Sequence, residues 1–231
     1  MQMNDQEWDK WFEGIWADRE EKFYPKFFGK THSQIYNLPK EVFTEGYHMD
    51  DCHPAWLTNI VIEYKPTEDR KSWLYVTSGL SNPIGQEPDN IKPEGFSGMG
   101  FELIIEATEK SFWPVQVLHR LIAYQILIST GHLEGDLLDY QVIIPFDEGI
   151  TENSKVTSFV ILEPEDNRKY PSDFSLASGV VDFFVLYGIT QEEVDSLPED
   201  QESDIVHHLL EQTEYPITNP LRDTIKLPSD Q

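Results

Sequence analysis

Two different periods of apolar and polar positions run along the chain. Near the start, Trp8, Phe12, Ile15 and Trp16 recur at spacings close to four with charges between them, which predicts an amphipathic helix whose aromatic stripe docks on the rest of the fold. Pro25 should end that helix or sit just beyond it. Residues 31–56 carry no sustained period, apart from Val42 and Phe43, which predict a short strand. Apolar, β-branched or aromatic runs at 57–64, 73–77, 101–105, 140–144, 157–162 and 179–186 predict strands. The helical period returns behind Pro114, where Val117, Leu118, Leu121, Ile122, Ile126 and Leu127 share a face. Thr130-Gly131 is a natural stop for that helix. Gln191 opens a short helix with two glutamates in its electropositive first turn, and 205–212 predicts another. Residues from Glu214 onward read as an extended tail laid over the globule.

Helices do not alternate regularly with these strands, and neither repeats nor a shift in composition mark a boundary. The fold class expected is α+β (mixed α/β), a single domain with a central mixed, mostly antiparallel sheet flanked by helices. Its parts are an N-terminal helix in 1–30, the main domain in 31–195, and an acidic loop, short helix and tail in 196–231. The stretch 73–107 is the organising feature. Two strands flank a connection rich in glycine (Gly79, Gly85, Gly95, Gly98, Gly100) and stiffened by Pro83, Pro88 and Pro93.

Composition sharpens the functional picture. Six Trp, ten Tyr and thirteen Phe argue for a packed globule rather than disorder. Seventeen basic against 42 acidic residues leave a formal net charge of −25. Such a field repels nucleic acid and anionic membrane, and it speeds encounter with a basic partner. The single cysteine, Cys52, excludes a disulfide within the chain and a multi-thiolate zinc site, and it fits a reducing compartment. The first residues, MQMNDQEWDKWFEGIW, lack the apolar core of a secretory signal, and no window approaches a membrane span. A soluble cytoplasmic protein, monomer or weak dimer, is expected.

The candidate chemistry is thin. His48, Asp50, Asp51, Cys52 and His53 cluster within 47–53, but their spacing fits no zinc finger or HExxH pattern, so a solvated loop with an incidental thiol is the better reading. His207 and His208 are adjacent and would point about 100° apart on a helix. His119 reads as a boundary or core histidine rather than a base. Ser97-Gly98-Met99-Gly100-Phe101 has neither the third glycine nor the following helix of a dinucleotide cradle, and no glycine run precedes Lys-Ser or Lys-Thr. No cofactor or metal is expected. Acidic loops, with Glu87 and Asp89 in one and 147–152 and 163–166 in others, are candidate partner contacts.

Several short motifs resemble the suppressor-of-fused domain family when taken in order. They are Trp73-Leu-Tyr-Val-Thr-Ser-Gly-Leu-Ser81, Ser97-Gly-Met-Gly-Phe-Glu-Leu103, and Trp113-Pro114 opening the helix through Ala123-Tyr124. Gly135-Asp136, Glu163-Pro164, Gly179-Val180-Val181 and Tyr187-Gly188-Ile189-Thr190 with Glu193 follow. The resemblance implies a single α/β domain and a binding role rather than catalysis. Animal members grip an extended peptide of a transcription factor through a tyrosine, an aspartate and a glutamate, which fall by motif on Tyr124, Asp136 and Glu163. Short bacterial members look like immunity proteins that neutralise a cognate toxin, and many such toxins are basic nucleases. The expectation is therefore a binding protein for a basic toxin domain, acting by occlusion. The alternatives are a peptide-binding adaptor and, behind it, an enzyme built on the 47–53 cluster.

Overall fold

A computed structural model describes residues 5–86, 92, 94–146, 149–165, 168, 170–196 and 211–225. Among these residues nine strands form one mixed sheet: β1 (Gln34–Asn37), β2 (Ile60–Tyr64), β3 (Trp73–Ser78), β4 (Phe96–Ala107), β5 (Ile143–Pro145), β6 (Val156–Leu162), β7 (Asp173–Leu176), β8 (Gly179–Thr190) and β9 (Ile217–Thr218). The order is β1-β2-β3-β4-β8-β6-β5, with β7 beside β8 and β9 beside β4. The pairs β4–β8 and β4–β9 are parallel and the others antiparallel. The expected α+β domain with a mixed, mostly antiparallel sheet is what forms.

Its central strands β3, β4, β6 and β8 read as near-continuous apolar runs because both faces are covered. On one face Tyr75, Leu103, Ile105, Phe159 and Ile161 pack under the long helix α4 (Trp113–Ser129). On the other, Leu74, Val76, Ile104, Val160 and Phe183 pack against aromatic residues of the N-terminal helical segment. That segment runs as α1 (Asp5–Ala17), one π-helical stretch (Asp18–Phe23) and a last turn, α2 (Tyr24–Phe27). Pro25 therefore lies inside the helical run instead of ending it. It stands in the first turn of α2, directly behind the π stretch.

The π stretch carries Arg19 into the interior, where it is fully buried. Its guanidinium donates from Nε to Ser78 Oγ (2.8 Å) and from Nη1 to Ser81 Oγ (2.9 Å). Glu102 of β4 lies 3.8 Å from Nη1, equally buried. Glu102 accepts from Thr77 Oγ1 (2.5 Å), Gly79 N (2.9 Å), Ser81 N (3.0 Å) and Ser81 Oγ (2.6 Å). The Thr-Ser-Gly-Leu-Ser run and the Glu of the second motif thus form a single buried carboxylate cage. A Cβ on Gly79 would lie 2.5 Å from Asn59 Oδ1, so this turn also needs glycine.

Three local expectations change. Val42 and Phe43 lie in a helical turn, α3 (Glu41–Thr44), which buries Phe43 against Trp56, while the strand of this region is β1. One buried residue in four is compatible with either element. β7 was not expected. The tail belongs to the fold: β9 takes up the end of β4 beyond the point where β8 diverges. Arg222 then grips the buried Glu193 of α5 (Gln191–Asp195) with both terminal nitrogens at 2.5 Å. The helix expected over 205–212 falls almost wholly outside the described residues, together with His207 and His208.

Candidate functional site

A groove of about 410 Å³ opens between α4, the 132–142 connection and the edge strand β5. Arg120 and Tyr124 are four residues apart on α4, so they share a face of the helix. The Tyr124 hydroxyl donates to the backbone carbonyl of Asp136 at 2.9 Å, and both residues line the groove. Gly135 makes that approach possible, because a Cβ there would lie 2.8 Å from the Tyr124 oxygen. The Gln125 side-chain Oε1 accepts from Leu138 N at 3.0 Å and fastens the same connection to α4. Tyr47 closes the other wall, with its hydroxyl on the Arg120 carbonyl at 3.0 Å. Burial pushes the Tyr47 phenol up, so it remains a neutral donor. The Arg120 guanidinium lies 4.9 Å from the centre of the Phe146 ring.

The floor of the groove is apolar and its mouth carries the exposed carboxylate of Asp136. Among the described residues β5 pairs only with β6, so its outer edge offers unpaired backbone groups beside the groove.

Glu163 does not line this groove. It stands exposed just past β6, and its backbone carbonyl accepts from the Tyr215 hydroxyl at 2.5 Å. Its carboxylate belongs with Asp139, Asp173 and Asp182 around Tyr140, which packs at 4.5 Å from the ring centre of Phe184. Burial and then these four acids push the Tyr140 phenol up. Burial, followed by Asp173, Glu163 and Asp139, raises the Asp182 carboxyl. The 136–140 connection joins the groove to this acidic patch. Glu87 and Asp89 lie outside the described residues, as do 147, 148 and 166 of the other acidic loops.

The 47–53 cluster is dispersed. Asp51 pairs with Lys40 at 2.8 Å, and His53 Nδ1 accepts from Ala55 N at 3.2 Å. Burial, with Asp51 close by, raises the Cys52 thiol, the opposite of what a nucleophile needs. Among the described residues no group of three or more His, Cys, Asp or Glu is placed to hold a metal ion. His119 is buried, and desolvation lowers it to about 4.

The family model described as suppressor of fused protein matches residues 57–223. The chain belongs to the suppressor of fused family. Its fold is similar to a crystal structure of Drosophila Suppressor of Fused (TM-score 0.55, 17% identity, 82% of this chain and 52% of that one). It is also similar to a Sufu–Fu complex (TM-score 0.55, 19% identity, 81% and 92%). A suppressor of fused homologue from Neisseria gonorrhoeae is matched along its whole length (TM-score 0.53, 15% identity, 96% and 100%). This chain spans about half the length of the Drosophila protein. No curated protein matches it in sequence. At these identities the likeness is one of fold.

Suppressor of fused motifs led to Tyr124 and Asp136, but Tyr47, Arg120 and Phe146 carried no motif. The one available signal was the four-residue step from Arg120 to Tyr124 on a helix. Asp139, Asp173 and Asp182 were indistinguishable from the other acids in so acidic a chain.

Proposed function

We propose that this suppressor of fused protein is a binding module without catalytic chemistry, and that it neutralises a basic toxin domain by occlusion, as an immunity protein. The observation that carries the reading is the acid collected beside the groove: Asp139, Glu163, Asp173 and Asp182 next to Asp136, on a chain of net charge −25. A partner rich in lysine and arginine would be steered to this end of the sheet. Asp136 would take a cationic side chain at the mouth, and the apolar floor behind it would seat an anchor residue. A nuclease domain, whose cleft is basic, presents such a surface.

Stopped-flow association with a basic nuclease toxin domain tests the reading. A one-to-one complex is expected, with an association rate that drops about tenfold or more as salt is raised. Asp136→Arg should abolish capture while the circular dichroism spectrum stays unchanged. An association rate indifferent to salt removes the electrostatic argument.

The open edge of β5 supports a second reading, an adaptor that binds an extended peptide through Tyr124, Asp136 and Glu163. A strand added to β5 would lie over the groove and reach toward Glu163. Under this reading a short basic peptide competes for the site by itself. Under the first, only the folded toxin domain does.

A further inference from the structure

On the face of the sheet opposite the groove, three cations from separate segments line a cavity of about 430 Å³. They are Lys26 on α2, Arg70 in the turn between β2 and β3, and Arg168 in the connection between β6 and β7. Among the described residues that line it, Asp69 is the one carboxylate. This is an unusual concentration in a chain with 17 basic and 42 acidic residues.

Arg70 is the centre of the arrangement. It is only 9% exposed. Its three nitrogens donate to the carbonyls of Ser72 (3.4 Å), Phe28 (3.2 Å) and Lys65 (2.8 Å). Among the described residues it makes no ion pair, and neither does Lys26. Burial works against its charge, and Glu106 opposes that only from beyond ion-pair distance. Arg168 pairs with Glu106 at 3.8 Å and Glu165 at 3.7 Å and donates from Nη2 to the Tyr215 carbonyl at 3.2 Å, while its Nε is buried without a hydrogen bond. Glu106 already accepts from the Ser72 and Tyr170 hydroxyls.

A buried cation is ordinarily matched by a buried anion. Arg19 with Glu102, Arg168 with Glu106 and Arg222 with Glu193 follow that rule, whereas Arg70 has no such partner among the described residues. A purely structural role, Arg70 tying three carbonyls together, explains that residue's position. It does not explain why Lys26 and Arg168 border the same cavity, nor does it use all five guanidinium N–H groups.

We infer that this cavity binds the oxyanion group, phosphate or carboxylate, of a small molecule, held by Lys26, Arg70 and Arg168. The volume exceeds what a lone ion fills and falls within the range of small-molecule sites. Phe27, Phe28 and Tyr170 supply an apolar wall for the rest of the ligand. The site is independent of partner binding at the groove.

Calorimetric titration of the whole chain with phenyl phosphate, benzoate and inorganic phosphate tests this, with ionic strength held constant by chloride. One equivalent of phenyl phosphate or benzoate is expected to bind, tighter than inorganic phosphate, and whichever binds more tightly identifies the group. Lys26 is exposed, so Lys26→Ala should leave the unliganded melting temperature unchanged while weakening binding about tenfold. Lys26→Glu should weaken it further. The inference is overturned if none of the three probes gives saturable binding at millimolar concentration. It is equally overturned if both Lys26 variants keep the wild-type affinity.

Discussion

Glu102→Gln is the sharpest test of how this fold is held together. The carboxylate receives four hydrogen bonds and faces Arg19 in a site that neither residue shares with water. Glutamine keeps the volume and one acceptor oxygen, which serves Gly79 N and the Ser81 groups. The amide nitrogen must then meet the Thr77 hydroxyl, which already accepts from Leu103 N at 2.8 Å. Losing a charge-assisted hydrogen bond costs about 1.5–3 kcal/mol. Removing one member of a buried ion pair costs roughly 3–5 kcal/mol, because the other charge is left uncompensated. Arg19 keeps Ser78, Ser81 and the Glu20 carboxylate at 3.8 Å, which places the expected loss near the lower end, about 3 kcal/mol. Urea unfolding followed by circular dichroism reads this as a midpoint lowered by roughly 1 M or more at unchanged slope. Arg19→Met alone should be comparably damaging. The double variant should be less destabilised than the two single losses added together, since removing both charges leaves neither stranded. A loss below about 0.5 kcal/mol for Glu102→Gln, the size of an ordinary surface effect, would refute the cage as an organising element.

Gly135→Ala should push the Tyr124 hydroxyl off the Asp136 carbonyl. The expected cost is about 1–3 kcal/mol in thermal unfolding, with weakened partner capture, whereas Tyr124→Phe should cost only about 1 kcal/mol. His119 gives the chain a titration of known sign. Its folded value of about 4 lies below the ordinary 6.5, so the unfolded chain takes up the proton first as pH falls. Stability from this group is complete above pH 6.5 and is lost toward pH 4, by about 2 kcal/mol between pH 7 and pH 5. Denaturation at the two pH values measures it, and His119→Leu should flatten that part of the profile.

The strands that were legible in the sequence are those buried on both faces, because continuous apolar runs mark them directly. β3, β4, β6 and β8 are of this kind, and only their ends were misplaced. β1 is an exposed edge reading Gln-Ile-Tyr-Asn, and β9 is two residues long, so neither shows alternation. The register of β9 is set by its contact with β4, a tertiary fact with no local trace. The same limit applies to Arg19. In sequence it is a charged residue on a helix, and only the extra residue of a π turn rotates it inward. At the groove, motif order supplied Tyr124 and Asp136, while the partner of Arg120 at the wall, Tyr47, comes from 73 residues away.

Salt should separate the two binding sites by sign. The pairs Glu102–Arg19 and Glu193–Arg222 each remove one charge of each sign from the surface. The whole net charge of −25 therefore remains to act outward. For a basic partner arriving at the groove this field is attractive, and at a Debye length of about 8 Å near physiological salt much of it is already screened. Raising salt further must slow association. For an oxyanion entering the cavity of Lys26, Arg70 and Arg168 the same long-range field is repulsive. The attraction there comes from cations within contact distance in a half-enclosed site, where mobile ions screen least. Added salt thus removes the opposing contribution before the favourable one, so phenyl phosphate affinity should stay level or rise between low and moderate chloride. Paired titrations on one preparation would show the two slopes diverging. An oxyanion affinity that falls with salt as steeply as partner association would mean that the cavity offers only diffuse attraction, and the three cations would then be structural.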